Sequence, residues 1–143
     1  MGKINYSMSF ERKEEKYYPN RLVKKLTKQE TEDLIRDISS HFNVIVPIVF
    51  FHPNSDFGGG LAAMYCDKNH NFIVVDGTCS LGIIIHEFTH HLTSCEHNGI
   101  GHNKWFMKNL HRSYAYASKK YPEAKRSNNR KNRGSGSSMV VTC

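Results

Sequence analysis

The stretch LGIIIHEFTHHLTSCEHNGIGHNKWF, residues 81–106, decides how the chain is read. It contains five histidines and two glutamates. His86, Glu87 and His90 form the pattern H-E-x-x-H. On a helix, residues four apart lie about 40° apart around the axis and one turn apart along it, so two imidazoles at that spacing can point at one cation. Glu87 is about 100° round from His86. That removes it from the ligand set but leaves it close enough to hold a water on the metal, the general-base position of metal-assisted hydrolysis.

The residues around the motif support a helix over 79–95 that is anchored by one face. With His86 at 0°, Leu81, Ile84, Ile85, Phe88, Leu92 and Cys95 fall between about 160° and 260°, which makes a core stripe. His86 and His90 lie roughly opposite, flanked by Gly82 and Thr93, which leave their face uncrowded. A pair of core histidines would lie within the apolar stripe instead. His91, near 140°, is at the margin of that stripe. It reads as a group standing behind the ligands or as a partly exposed side chain.

A catalytic zinc site takes three protein ligands and keeps one position open for water. Glu96, His97 and His102 are the candidates for the third. Glu96 has the metzincin spacing, but that pattern is H-E-x-x-H-x-x-G-x-x-H, and Thr93 and Glu96 stand where it has glycine and histidine. His97 has no spacing rule in its favour. Asn98-Gly99-Ile100-Gly101 is a turn signal, and it can deliver His102, at the start of the next helix, back towards His86 and His90.

IIIHEFTHHLTS and GIGHNKWFMKNL together resemble the small intracellular zinc metallopeptidases of the SprT-like and minigluzincin type. Those proteins follow H-E-x-x-H with a third histidine and then an aromatic that begins a helix, here His102 with Trp105 and Phe106. The resemblance covers about residues 30–118. It implies an α+β, zincin-like fold in which a small mixed or antiparallel sheet of about three strands packs on helices that include the H-E-x-x-H helix. It also implies one Zn²⁺ held by His86, His90 and His102, with Glu87 as catalytic base. A sheet edge at Leu61, Ala62, Ala63, Met64 and Tyr65 would bind an extended peptide or protein substrate. The chain departs from the family at Asn103, where glycine is usual, and it lacks the cysteine zinc ribbon of the DNA-repair members.

The rest of the chain is consistent with one domain of 143 residues. Residues 1–26 are weakly patterned. T-K-Q-E at 27–30 is a capping box, and Leu34, Ile35, Ile38 and Phe42 continue it as a helix over about 28–42. VIVPIVFF (44–51) reads as a buried strand, with Pro47 arguing for an edge or a bulge. LAAMYC (61–66) and NFIVVD (71–76), joined by DKNH, read as a hairpin. A last helix spans about 103–121, with Trp105, Leu110, Tyr114 and Tyr116 or Ala117 as its apolar positions. Tyr114 is a second candidate for a group behind the ligands, and with His111 a candidate for stabilising an oxyanion. The domain therefore runs over 27–122, and residues 123–143 form a basic, Gly/Ser-rich tail expected to be disordered.

Net charge is +7. That permits a nucleic-acid partner through the basic tail, as an alternative to peptidase activity or as a way of targeting it. No stretch approaches the ~20 apolar residues needed to cross a membrane. The N-terminus lacks the apolar core of a secretory signal. Cys66, Cys79, Cys95 and Cys143 form no CxxC pair. The expectation is a cytoplasmic protein with reduced thiols and no membrane partner.

Overall fold

The computed structural model describes residues 10, 12–52, 63–66, 71–75, 79–97 and 101–127. Phe10 and residues 12–17 are helical, and 12–17 are labelled α1. β1 (Lys25–Leu26), α2 (Lys28–Phe42), β2 (Ile48–His52), β3 (Ala63–Cys66), β4 (Asn71–Val75), β5 (Cys79–Ser80), α3 (Leu81–His97) and α4 (Lys104–Ala117) follow, then a 3₁₀ turn at Pro122–Ala124. The class is α+β. One sheet has the order β2-β4-β3, with β2 parallel and β3 antiparallel to β4. β1 and β5 form a second, two-stranded antiparallel sheet.

α2 begins and ends where its side chains dictate. Thr27 Oγ1 accepts from the Glu30 N–H at 3.1 Å, and Glu30 Oε1 accepts from the Thr27 N–H at 3.0 Å. This is a reciprocal cap that satisfies two backbone donors otherwise left without partners. Asn43 ends the helix in the left-handed region (φ 58°), a conformation that asparagine tolerates better than most residues. Leu34, Ile35 and Ile38 are buried, each stabilising the fold by roughly 1.5–3 kcal/mol through burial.

The N-terminus of α3 is satisfied by backbone from far away in sequence. The N–H groups of Leu81 and Gly82 donate to the carbonyls of Lys24 (2.8 Å) and Arg21 (2.7 Å). A helix leaves its first N–H groups without internal partners, so the 21–24 segment closes this end of α3 and is held against it. Gly82 makes that approach feasible, because a Cβ there would lie 2.6 Å from the Cβ of Arg21 and 2.8 Å from its carbonyl oxygen. Phe10 and residues 12–26 are therefore packed with the rest of the described fold. Phe10, Tyr18 and Leu26 join the core with Ile84, Ile85, Phe88, Leu92, Phe106 and Leu110.

Other boundaries also differ from the sequence reading. β2 starts at Ile48 rather than at 44, because Pro47 has no N–H to give to a ladder, and β2 is an edge strand. Cys79 and Ser80 pair with β1 instead of opening the helix. Cys95 is exposed. In the first turn of α4 the buried aromatic is Phe106, whereas Trp105 is 37% exposed and stacks on His97 at 4.2 Å. Within the segment read as tail, Ala124 is buried, and the Ser127 N–H donates to the Tyr17 carbonyl at 2.7 Å. Residues 128–143, the DKNH turn, Leu61, Ala62 and Asn98–Ile100 of the NGIG turn lie outside the described residues. Among the described residues, no helix is long and apolar enough to cross a membrane.

Candidate metal centre

α3 carries His86 and His90 one turn apart, and α4 is positioned to bring His102 to them. Asn103 caps α4, its Oδ1 accepting from the N–H groups of Trp105 and Phe106 at 3.0 Å each. Asn103 thus starts the helix, with His102 immediately before the cap. α4 is tied to α3 through buried Asn109, whose Nδ2 donates to Thr93 Oγ1 (3.1 Å) and Glu96 Oε1 (3.0 Å).

One ring nitrogen from each of His86, His90 and His102 lies within 4.8 Å of the others. His86 Nε2 and His102 Nε2 are 3.2 Å apart. Two nitrogens bound at ~2.0–2.1 Å to a tetrahedral Zn²⁺ are separated by about 3.3–3.4 Å, so this pair already has close to the spacing of neighbouring ligands. The three rings sit against the apolar surface of Phe106, at centroid distances of 4.5 to 5.1 Å. Phe10 stacks on His102 at 4.6 Å and meets Phe106 edge-on at 5.3 Å. Glu96 and His97 are occupied elsewhere: Glu96 accepts from Arg112 and Asn109, and His97 stacks on Trp105.

Behind His86 stands a carboxylate that the motif did not reveal. Glu14, 1% exposed, accepts through Oε1 from His86 Nδ1 at 2.8 Å and through Oε2 from the Tyr114 hydroxyl at 2.8 Å. Arg21 Nη1 lies 3.9 Å from the same Oε2. A hydrogen bond from Nδ1–H fixes the tautomer and turns the Nε2 lone pair towards the other imidazoles. Burial works to raise the Glu14 pKa, but the His86 hydrogen bond and charge, then Arg21 and Tyr114, outweigh it and hold it below the ordinary carboxylate value. For His86, burial works downward, and the bond and charge of Glu14 with the charge of Glu87 carry the pKa upward. His102 is pushed down by burial and by His86, favouring the neutral, metal-binding imidazole.

α1 delivers Glu14 because Phe10, Glu14 and Tyr18 recur every four residues on one helical face. A carboxylate between two aromatics at that spacing was the available signal. The ring of Tyr18 stacks on Tyr114 at 3.7 Å.

Tyr114 stands behind His86, joined to it through Glu14. It is 0% exposed with its hydroxyl on Glu14, so it cannot reach a substrate oxyanion. His91 does not support a ligand: it is buried, and its Nε2 donates to the Ile45 carbonyl at 2.8 Å, fixing the segment that leads to β2. The uncrowded face expected around Gly82 and Thr93 is covered, by Arg21 and by Asn109. Glu87 follows His86, half-buried, with its charge felt at His86 and at Cys79. Of the edge-strand residues, Ala63, Met64 and Tyr65 lie in β3, at an edge of its sheet and against α3.

His111 is excluded as a charged participant near neutral pH. Burial, then the charge of Arg126, pushes its pKa down to about 4, and its Nδ1 hydrogen-bonds with the Tyr18 hydroxyl. The unfolded chain takes up this proton near the ordinary 6.5, whereas the folded chain resists it until about 4. The contribution of His111 to stability is therefore complete above 6.5 and falls as pH drops through that window. His111→Gln should flatten the slope of Tm between those pH values relative to the parent, and parallel profiles would assign the acid sensitivity to other groups.

The chain matches no protein-family model, and comparison with curated proteins and with solved structures gives no match.

Proposed function

We propose that the chain is a zincin-like, zinc-dependent endopeptidase of the SprT-like or minigluzincin kind, acting in the cytoplasm. The observation that carries the reading is the convergence of His86, His90 and His102 within 4.8 Å, with Glu87 next to the first. Three imidazoles and no thiolate suit zinc and leave a coordination position open. Zinc held there supplies a Lewis acid that makes water a nucleophile near neutral pH.

The chain's own groups account for the rest of the chemistry. Glu14 holds His86 with Nε2 facing the centre, and Phe10 and Phe106 keep bulk solvent from the imidazoles. Glu87 takes one proton from the attacking water. The hydroxyl adds to the carbonyl carbon, the C–N bond breaks, and Glu87 returns the proton to the departing amine. β3 offers backbone donors and acceptors along its edge to an extended peptide.

The test is metal content and hydrolysis of unfolded casein by the purified chain. About one equivalent of zinc and cleavage abolished by a chelator are expected. His102→Ala should lower zinc affinity by more than the roughly 10–100-fold typical of losing a supporting partner, while His97→Ala leaves it unchanged. The opposite ranking of the two variants would sink the ligand set.

A further inference from the structure

A cleft of about 930 Å³ opens beside His102, between the N-terminal segment and α4. Its apolar lining comes from Phe10, Tyr17 and Met107. Among the described residues its charged lining is entirely cationic: Lys13 on one wall, and Lys104, Lys108 and Arg112 on the other. Arg112 is neutralised by Glu96, at 3.0 Å. Lys13, Lys104 and Lys108 are exposed, and among the described residues none has a carboxylate within ion-pair distance.

Two of these lysines sit where helix physics disfavours them. Lys104 is the first residue of α4, and the first turn carries no acidic residue. The positive end of the helix dipole opposes a cation there. Lys108 follows four residues later, so like charges face each other one turn apart, which also destabilises a helix. An anion lying along this wall relieves both costs.

Resting on the peptidase reading above, we propose that this cleft takes an acidic stretch of the polypeptide substrate, with Lys13, Lys104 and Lys108 holding its carboxylates and Met107 its apolar side chains. The aromatic rings do not offer a platform for nucleic-acid bases. Arg126 lies over the face of Tyr17 at 4.8 Å, and the His111 ring packs against Tyr17 at 5.2 Å. Phe10 is stacked on His102. Single-stranded nucleic acid binding without sequence preference relies on free aromatic faces.

The experiment is fluorescence anisotropy with the full zinc-loaded chain and three kinds of labelled probe: an alternating Glu–Ala peptide, an alternating Lys–Ala peptide, and a single-stranded oligonucleotide of similar length. The acidic peptide should bind at least about tenfold tighter than the basic one and lose affinity as salt rises. Lys13→Glu combined with Lys108→Glu should weaken acidic-peptide binding by about tenfold and leave zinc content unchanged. Equal affinity for the two peptides, tighter binding of the oligonucleotide, or indifference to the double substitution would overturn the proposal. Because binding is read without turnover, a chain that holds no zinc yet prefers the acidic peptide would refute the peptidase reading and leave the cleft assignment standing. A zinc-loaded, active chain with no preference would do the reverse.

Discussion

Glu87→Gln is expected to keep about one equivalent of zinc and to hydrolyse unfolded casein more slowly by on the order of 10²–10⁴-fold, the usual contribution of a positioned general base. Glutamine has the shape of glutamate, so the half-buried site on α3 is neither emptied nor overfilled. What disappears is the ability to accept a proton. The charge also disappears, and it is felt at His86, so a small change in zinc affinity is expected alongside the large change in rate. That separation distinguishes a base from a ligand: losing a ligand removes metal and rate together. Full activity in a zinc-replete Glu87→Gln protein would mean that proton transfer belongs to another group. Among the described residues, His111 is a poor substitute, being hydrogen-bonded with Tyr18, and so is Tyr114, which is sealed behind Glu14.

The helix carrying His86 and His90 was legible because its information is local: a period of 3.6, an apolar stripe and a motif spanning five residues. The capping box at Thr27 and Glu30 was legible for the same reason. Glu14 was harder to read, because its partner is seventy-two residues away and its one trace, an aromatic four residues to either side, lies within a run of charged residues. The uncrowded face inferred around Gly82 failed for a related reason. A helical wheel reports where the apolar residues lie, but the 21–24 segment is bound to α3 by backbone hydrogen bonds, which leave no side-chain pattern. Gly82 itself was the visible trace of that approach. Trp105 was read as an apolar position of the last helix, but in the structure Phe106 takes the buried position and Trp105 covers His97.

Glu14→Ala is expected to give the larger of the two losses in the folded protein. The carboxylate is buried with His86, Tyr114 and Arg21 around it. Removing one member of a buried charged cluster typically costs about 3–5 kcal/mol, because the remaining charge is left without compensation. Here the stranded groups are Arg21 and the Nδ1–H of His86. For a domain of this size that is a large share of a total stability of about 5–15 kcal/mol, so Glu14→Ala tests the fold more than the site. Glu14→Gln separates the two. The amide oxygen can still accept from His86 Nδ1–H, and the amide nitrogen can donate to the Tyr114 hydroxyl, so the fold survives with a lowered Tm. The negative charge that makes His86 a stronger donor to metal is gone, and zinc affinity should fall by about 10–100-fold, the cost usually seen when a carboxylate behind a metal-binding histidine is replaced. The measurements are competition with a chromophoric chelator and the Nδ1–H signal of His86 by NMR. Unchanged zinc affinity in a folded but destabilised Glu14→Gln protein would reduce Glu14 to a purely structural partner of α3. A weakened affinity that a high zinc concentration rescues to full hydrolytic rate would place its effect on metal retention and leave the chemical step to Glu87.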